Sequence, residues 1–318
     1  MIRLSSEFFA LAVLAAMMVA GCSPVATPTD APTDPPSVSP APKSASPTET
    51  QPKHILWEVA GKTNQVYLLG SVHLLREDDY PLPAIYGRVY DEAEKLVMEL
   101  DMDDIDLLQM QQQMITAGMT TDGRSLQQIL GETQWRKASA MAESMDIELE
   151  MLNSVEPWFA ALTVVELQML KLGFDPSLGV EFHFLRRAQA DSKPIEGLES
   201  VAQQITFFDR LPLETQSRFF LKALEDAQTI DEGIEDLINA WRSGNTAAMH
   251  DELTEGFDGF PTVYDSLVVR RNQAWVRNIA DLLDDEDDYL VIVGALHLIG
   301  DDSVVGLLSA QGYSLKQL

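Results

Sequence analysis

Two apolar runs of strand length, one early and one late in the chain, are followed by the same kind of turn. Val66–Leu69 precedes Gly70–His73 (Gly-Ser-Val-His), and Val291–Val293 precedes Gly294–His297 (Gly-Ala-Leu-His). Each turn ends in a histidine three residues after a glycine, although the chain has only 5 histidines and 18 glycines. Glycine lets the backbone turn sharply or approach a ligand closely. The pattern therefore predicts two β-strands whose carboxyl ends carry matching histidine turns.

The segments around the first run predict a parallel sheet. Residues 54–60 and 65–69 are apolar and β-prone and flank Gly-Lys-Thr-Asn, which is typical of a β-hairpin. Tyr80–Pro83 is typical of a helix start; the helix should continue to about Glu94, and a buried strand at 95–100 follows it. A strand, a helix and a strand at this spacing form a βαβ unit, whose strands are parallel. We therefore expect an α/β fold with a mostly parallel central sheet and flanking helices.

Most of the remaining chain has a helical period. Residues 103–187 predict a large helical insertion, because they contain no long strand-like run. The further predicted elements are a strand at 193–197, helices at 199–208, 213–227, 230–241, 246–255 and 264–283, a strand at 289–293, a helix at 302–310 and an edge strand at 313–315.

The first residues predict export and lipidation. Arg3 precedes an apolar run, Phe8–Ala20, that is too short to span a bilayer. Val19–Cys22 (Val-Ala-Gly-Cys) resembles a bacterial lipobox, in which residues 1–21 are a signal peptide and Cys22 carries the lipid. An ordinary signal peptide with an incidental cysteine is the alternative. Because Cys22 is the only cysteine, an intrachain disulfide and a thiolate metal cluster are excluded.

Composition and charge define the organisation and the expected partners. Residues 22–53 are rich in Pro, Ser and Thr and predict an extended tether, which leaves 54–318 as one folded domain. We expect a protein of the bacterial cell envelope, lipid-anchored in the outer membrane and facing the periplasm. The formal net charge of −28 argues against nucleic acid as a partner. A membrane, reached through the lipid anchor, and a peptide or small-molecule substrate are the expected partners.

Several polar side chains fall at or just beyond predicted strand ends. They are His73, Glu99, Glu196 and His297, with Glu199 close behind. In a parallel α/β sheet, ligands bind outside the carboxyl ends of the strands. Two histidines and a carboxylate match a common shell for a divalent metal. The alternative is that each histidine merely bonds to the backbone at the end of its strand, and that Glu99 is an exposed strand-terminal residue.

Other candidate residues have simpler interpretations as well. Arg271 is able to clamp a carboxylate or stabilise an oxyanion, but a salt bridge to the acidic surface is the simpler account. Glu181 begins a predicted helix, where its charge complements the helix dipole. Ser71 is close to His73, but residues so near in a strand and turn seldom face each other. The chain has no His-Glu-x-x-His, no Gly-x-Ser-x-Gly and no Walker loop.

Taken together, these segments resemble the TraB/PrgY/GumN family, in the same order and over nearly all of residues 54–318. The segments that carry the resemblance are Leu56–Val59, Val66–His73, Val97–Asp101, Gly197–Ser200 with Gln203, Arg271 and Asn272 with Trp275, and Val293–His297. Bacterial members of the GumN branch are often exported or lipid-anchored, which is consistent with the prediction for Cys22.

The resemblance has implications for fold and chemistry. The family is similar to the Tiki metalloproteases and, more distantly, to erythromycin-esterase-like and ChaN-like proteins. It implies an α/β fold, two histidines and a glutamate in one site, and Mn²⁺- or Co²⁺-dependent peptide hydrolysis in the Tiki branch. By position, His73 and His297 are the implied metal ligands, Glu99 is a further ligand or the base, and Arg271 is a site arginine.

Two functional hypotheses follow. The first is an envelope-anchored, metal-dependent hydrolase, a peptidase that uses Mn, Co or Zn. The second is a non-catalytic lipoprotein that captures a peptide, or a cofactor such as haem, in the same cleft. Cleavage of a peptide library distinguishes the two, because a binder retains intact peptide without turnover.

Overall fold

The computed structural model describes residues 53–318, apart from the side chains of Glu232 and Leu253. The predicted signal peptide, Cys22 and the tether up to residue 52 lie outside this range, so those predictions stay predictions. Among the helices of residues 53–318, none has the length and apolar character needed to cross a bilayer.

A six-stranded sheet forms the centre of the described fold. The strands are β1 (Leu56–Ala60), β2 (Gln65–Ser71), β3 (Lys95–Met98), β4 (Ile195–Gly197), β5 (Tyr289–Gly294) and β6 (Leu315–Gln317). Their order across the sheet is β4-β3-β5-β2-β1-β6. The pairs β4/β3, β3/β5 and β5/β2 are parallel, and β1 is antiparallel to both β2 and β6. The predicted α/β class, with a mostly parallel sheet, is confirmed.

The sheet brings the two histidine turns side by side. Strands β2 and β5 are direct neighbours, with Gly70 opposite Val293 and Ser71 opposite Gly294. The βαβ unit of β2 and β3 is present, but β5 lies between its two strands. All six residues of β5 are buried, as expected for a central parallel strand with helices on both faces.

Helices surround this sheet. They are α1 (Ala84–Glu92), α2 (Leu107–Gly118), α3 (Leu126–Ser144), α4 (Pro157–Lys171), α5 (Val180–Asp191), α6 (Val201–Asp209), α7 (Leu213–Ala227), α8 (Ile230–Arg242), α9 (Thr246–Glu255), α10 (Pro261–Tyr264), α11 (Arg270–Leu282) and α12 (Val304–Ala310). The predicted helical insertion corresponds to α2–α5. The predicted helix at 264–283 is interrupted, because Asp265–Val269 forms a π-helical segment.

Close packing explains the glycine at the end of β2. A Cβ on Gly70 would lie 2.3 Å from Ile55 Cγ2 and 3.1 Å from Ala295 Cα. The Gly70 carbonyl also accepts a hydrogen bond from the buried indole nitrogen of Trp241, on α8, at 2.8 Å. The end of β2 is therefore held on one side by the turn after β5 and on the other by a helix.

Candidate functional site

The four side chains predicted to form a site meet at the carboxyl ends of β2, β3 and β5. His73, Glu99, Arg271 and His297 are all buried, with 2–4% of each residue exposed. Glu99 directly follows β3, which ends at Met98 rather than at residue 100. Glu196 is not part of this group; it lies on the edge strand β4, and 53% of its side chain is exposed.

Arg271 is the centre of the buried charges. Its Nη2 donates to Glu99 Oε2 and to Glu199 Oε1, each at 2.5 Å, and its Nε donates to Glu199 Oε1 at 3.0 Å. Its Nη1 donates to the Leu267 carbonyl at 3.2 Å and lies 3.2 Å from His297 Nε2. A guanidinium has five N–H donors, and these contacts use them all. The geometry therefore favours a positioning role for Arg271 over direct donation to a substrate.

The second carboxylate, Glu199, comes from the neighbouring strand end. The β3/β4 ladder continues past the strands, since Glu199 N donates to the Glu99 carbonyl at 3.0 Å. Gln204 Nε2 bridges the two carboxylates, at 3.2 Å from Glu99 and 2.9 Å from Glu199. Trp275 Nε1 donates to Glu199 Oε2 at 3.2 Å. Sequence reasoning noted the position of Glu199 but assigned it no role; its place in the Gly197–Ser200 segment of the family resemblance was the available signal.

The charges set the protonation of the carboxylates and of the guanidinium. Burial alone would raise the pKa of Glu99, but Arg271 and both histidines outweigh it and lower that pKa to about 2. Burial raises the pKa of Glu199, and Arg271 only partly offsets this effect. Burial would lower the pKa of Arg271, but the two carboxylates reverse that effect and raise it. Glu99 is therefore a permanent carboxylate at neutral pH, which makes it a poor base.

His297 is held as a neutral imidazole in one tautomer. Its Nδ1 lies 2.7 Å from Asn272 Oδ1, and Asn272 Nδ2 donates to the Asp302 carbonyl at 2.8 Å. This hydrogen-bond pattern assigns the proton to Nδ1 and leaves Nε2 to accept from Arg271. Burial and the adjacent Arg271 lower the pKa of His297 to about 3. The Trp275 ring packs against the imidazole, with the ring centroids 4.5 Å apart.

His73 has a different partner, the carboxylate of Glu181. Its Nδ1 lies 2.6 Å from Glu181 Oε1, and the same oxygen accepts a hydrogen bond from the Ser71 hydroxyl. Burial would lower the pKa of His73, but Glu181 outweighs that effect and raises it. The expectation that Glu181 only complements a helix dipole is incomplete. It does lie in the first turn of α5, but its carboxylate holds the imidazole.

The start of α5 lies directly against the end of β2. Gly179 precedes the helix, and a Cβ there would lie 2.2 Å from the His73 carbonyl oxygen. Val180 N donates to the Val72 carbonyl at 3.1 Å. Because only glycine allows this approach, the residue before α5 fixes the distance between His73 and Glu181.

A small cavity lies next to this pair. Its volume is about 30 Å³, and its polar lining residues are His73, Glu99 and Glu181. Glu181 Oε2 is buried and has no hydrogen-bond partner among the described residues. A cavity of this size accommodates a water molecule. The arrangement thus combines an oriented imidazole, an unsatisfied carboxylate oxygen and space for one small molecule.

The metal shell expected from the sequence is not formed by these side chains as they are arranged. Within residues 53–318, no group of three or more His, Cys, Asp or Glu side chains converges as metal ligands do. His297 Nε2 and Glu99 Oε1 are 4.0 Å apart, but the guanidinium of Arg271 contacts both residues. A cation in contact with both would repel a second one. The residues therefore do not fit a divalent metal while Arg271 occupies this position.

Sequence comparison finds relatives over most of the described chain. The sequence model of the TraB/PrgY/gumN family matches residues 55–317. The YbaP proteins of Escherichia coli (strain K12) and Shigella flexneri are each 24% identical to this chain over 246 residues. Each alignment covers 76% of this chain and 87% of the relative. No solved structure gives a significant match.

Proposed function

Because the chain belongs to the TraB/PrgY/gumN family, we propose that it is a hydrolase of the bacterial cell envelope that cleaves peptides. One observation carries the proposal: the buried pair of His73 and Glu181, with Nδ1 and Oε1 2.6 Å apart, lies beside a cavity that accommodates a water molecule. The choice of a peptide as the substrate rests on the resemblance to the Tiki branch.

The proposed base is His73. Glu181 accepts from Nδ1 and so leaves Nε2 for proton transfer, which is how a carboxylate orients a catalytic imidazole. The resemblance implies that Glu99 is a metal ligand or the base, but Arg271 and both histidines hold its pKa at about 2, so it does not accept a proton from water near neutral pH. His297 is unsuitable as well, because its Nε2 faces Arg271 and its pKa is about 3.

The proposed role of the Arg271 network is to hold Glu99 in place beside the cavity. Its guanidinium holds Glu99, and Glu99 Oε1 accepts a hydrogen bond from Gly294 N at 2.9 Å. These contacts fix the carboxylate on the wall of the cavity.

Metal dependence remains a separate proposal with a defined requirement. Mn²⁺, Co²⁺ or Zn²⁺ could join His73, Glu99 and His297 only after Arg271 leaves Glu99 and His297. Elemental analysis of the purified chain, and activity after chelation and after addition of each metal, test this requirement. Full activity after chelation, with no bound metal, would contradict metal dependence and leave the His73 proposal intact.

The lipid anchor is likewise proposed. Cys22 follows a signal-like segment and is the only cysteine, so the Cys22→Ser variant should appear in the soluble periplasmic fraction instead of the membrane fraction. Mass spectrometry of the mature chain should show acyl groups on Cys22. An unmodified mature amino terminus at another residue would support an ordinary signal peptide instead.

The hydrolase proposal is tested by incubating the full chain with a peptide library. His73→Ala should lower turnover by about 10²- to 10⁴-fold, the usual effect of removing a general base. His250→Gln, on α9 and outside the site, serves as the matched control and should retain activity. If the unaltered chain retains intact peptides without cleaving them, with or without metal, the non-catalytic binding function is supported instead.

A further inference from the structure

A groove crosses the surface next to the candidate site, between α2 and the start of α6. Its inner part has a volume of about 370 Å³ and begins at Leu100 and Glu199. Leu100 also lines the small cavity beside His73, and Glu199 is the carboxylate that holds Arg271. The outer part, about 560 Å³, shares Gln109, Gln113 and Ala202 with the inner part. The groove therefore lies beside the proposed catalytic site, with Leu100 between them.

The inner groove combines an apolar surface with negative charge. Leu100, Ile105 and Met110 contribute apolar surface. Every charged residue that lines the inner groove is acidic: Asp101, Asp104, Asp106 and Glu199. Long cationic side chains bind such surfaces well, because the methylene groups pack on apolar atoms while the charged end reaches a carboxylate.

Two of these carboxylates are neither paired with a cation nor used to cap a helix. Glu199 is occupied by Arg271, and Asp106 accepts hydrogen bonds from Leu108 N and Gln109 N at the start of α2. By contrast, neither Asp101 nor Asp104 forms an ion pair with a described residue, although burial and a hydrogen bond with the Asp103 carboxyl raise the pKa of Asp101 to about 6. Asp101 Oδ1 is buried and has no hydrogen-bond partner within residues 53–318. A buried acceptor without a partner is costly, and a donor from a bound ligand would satisfy this atom.

The outer groove has a neutral, amide-rich wall. Gln109, Gln112 and Gln113 are exposed there, next to Thr116. Glutamine amides both donate and accept hydrogen bonds, so they pair with the backbone of an extended peptide whatever its side chains are. Discrimination between substrates is therefore expected in the inner part of the groove.

We propose that this groove binds an extended peptide and selects substrates with a lysine or arginine, whose charged end contacts Asp101 and Asp104. The aliphatic part of that side chain packs on Leu100, Ile105 and Met110. The inference rests on the proposed hydrolase function and adds to it a substrate class, basic peptides. The carboxylates of Asp101 and Asp104 determine specificity and take no part in the bond cleavage.

The test measures binding first and cleavage second, on the full chain. Fluorescent peptides are compared that differ only at one position, occupied by lysine, norleucine or glutamate. Norleucine keeps the apolar stem and removes the charge. We expect lysine to bind about 10-fold or more tightly than norleucine, as charge-assisted hydrogen bonds predict. The preference should decrease in concentrated salt, because the groove is open to solvent.

Variants of the acidic groove residues test whether Asp101 and Asp104 cause the preference for lysine. Asp101→Asn and Asp104→Asn together should reduce the ratio of lysine to norleucine affinity to about 1, because the charge-assisted contacts are lost. Glu286→Gln removes one acidic charge from the exposed loop before β5 and should leave the ratio unchanged. Thermal melts confirm that each variant is folded. Equal binding of lysine and norleucine peptides by the unaltered chain would overturn the inference.

The cleavage data separate this inference from the proposed function. Cleavage of all three peptides at equal rates would refute selection for basic residues and leave the hydrolase intact. Charge-dependent binding without cleavage would support the groove as a binding site for basic peptides and would refute the proposed hydrolase function.

Discussion

Glu99 and Glu199 lie side by side at the ends of adjacent parallel strands, with the amide of Glu199 donating to the carbonyl of Glu99 at 3.0 Å. Both side chains accept from Nη2 of Arg271, each at 2.5 Å. A single guanidinium therefore compensates two buried carboxylates. Since a buried charge without a partner is strongly unfavourable, the three residues are stable only as a unit.

Replacing Arg271 alone should lower the free energy of unfolding more than replacing Arg271, Glu99 and Glu199 together. Arg271→Met leaves two carboxylates buried without their cation, and we expect a loss of about 3–5 kcal/mol in the free energy of unfolding. Adding Glu99→Gln and Glu199→Gln to the same chain should restore part of this loss, because no uncompensated charge remains. Urea denaturation of the single and triple variants measures both values.

The neighbouring arginine provides the control. Arg270 pairs with Asp265 at 2.7 Å, but 72% of its side chain is exposed. Solvent screens such a pair, so Arg270→Met should cost less than about 1 kcal/mol. Equal losses from Arg270→Met and Arg271→Met would mean that the buried network contributes nothing specific to stability.

The hydrolase proposal predicts a kinetic effect at Glu181. Glu181→Gln keeps the size of the side chain but removes the charge that orients His73, and kcat should decrease by about 10²- to 10⁴-fold. KM should change little, because Glu181 is buried and the proposed groove lies on the other side of Leu100. Steady-state kinetics with a cleavable peptide separate the two parameters.

Ser71 is the control for this prediction. Its hydroxyl donates to the same Glu181 oxygen as His73 does, and Ser71→Ala removes that donor without changing the charge. We expect less than about 10-fold loss of kcat, since the His73 contact is retained. A loss as large as that of Glu181→Gln would indicate that Ser71, and not the imidazole, is the group that reacts.

Local patterns predicted the elements of the fold well, but the order of strands only in part. The start of α1 after Pro83 and the hairpin of β1 and β2 follow from short-range signals. The insertion of β5 between β2 and β3 does not, because that pairing joins segments far apart in sequence. Helical periodicity also did not predict the π-helical turn before Arg271, because the residues on both sides of this turn are helical.

The same distinction holds for the candidate site. Positions at strand ends indicated His73, Glu99 and His297, because Glu99 follows an apolar run directly and each histidine lies in the glycine turn after one. Strand-end positions did not predict Glu181 as the partner of His73. Glu181 is distant in sequence from this turn: it lies 110 residues from Ser71, which shares the same hydrogen-bond network. Helix-start chemistry explains an acidic residue at position 181 equally well, so only the contact itself identifies its second role.

The close approach at Gly179 predicts that alanine is not tolerated there. A Cβ would lie 2.2 Å from the His73 carbonyl oxygen, although the backbone φ of −57° suits alanine. The helix would have to move away from β2, which should cost about 1–3 kcal/mol or more. It would also separate Glu181 from His73, so activity should decrease together with the melting temperature.

Gly87, within α1, is the matched control for this substitution. A Cβ there would meet only Arg187 Nη1, at 3.5 Å. Because alanine favours helix over glycine, Gly87→Ala should stabilise the chain by about 0.5–1 kcal/mol. If Gly179→Ala left both stability and activity unchanged, the docking of α5 would not determine the geometry of the site.

A buried carboxyl outside the site predicts how stability depends on pH. Glu166, on α4, is 3% exposed, and its Oε1 has no hydrogen-bond partner among the described residues. Burial raises its pKa from 4.5 to about 8, so the folded chain keeps the proton that the unfolded chain has already released. Below about pH 4.5 the Glu166 carboxyl is protonated in both the folded and the unfolded chain, and the free energy of unfolding is highest with respect to this group. As the pH rises to about 8, the unfolded chain releases the proton while the folded chain keeps it, so the free energy of unfolding decreases.

Glu166→Gln should remove this dependence. The difference in unfolding free energy between the variant and the unaltered chain should increase with pH in favour of the variant, by up to about 1.4 kcal/mol per pH unit between pH 5 and 8. Urea denaturation at several pH values within this window measures the slope. Glu132→Gln, at a side chain that is 84% exposed, should show no such change. Parallel curves for all three chains would mean that Glu166 titrates normally despite its burial.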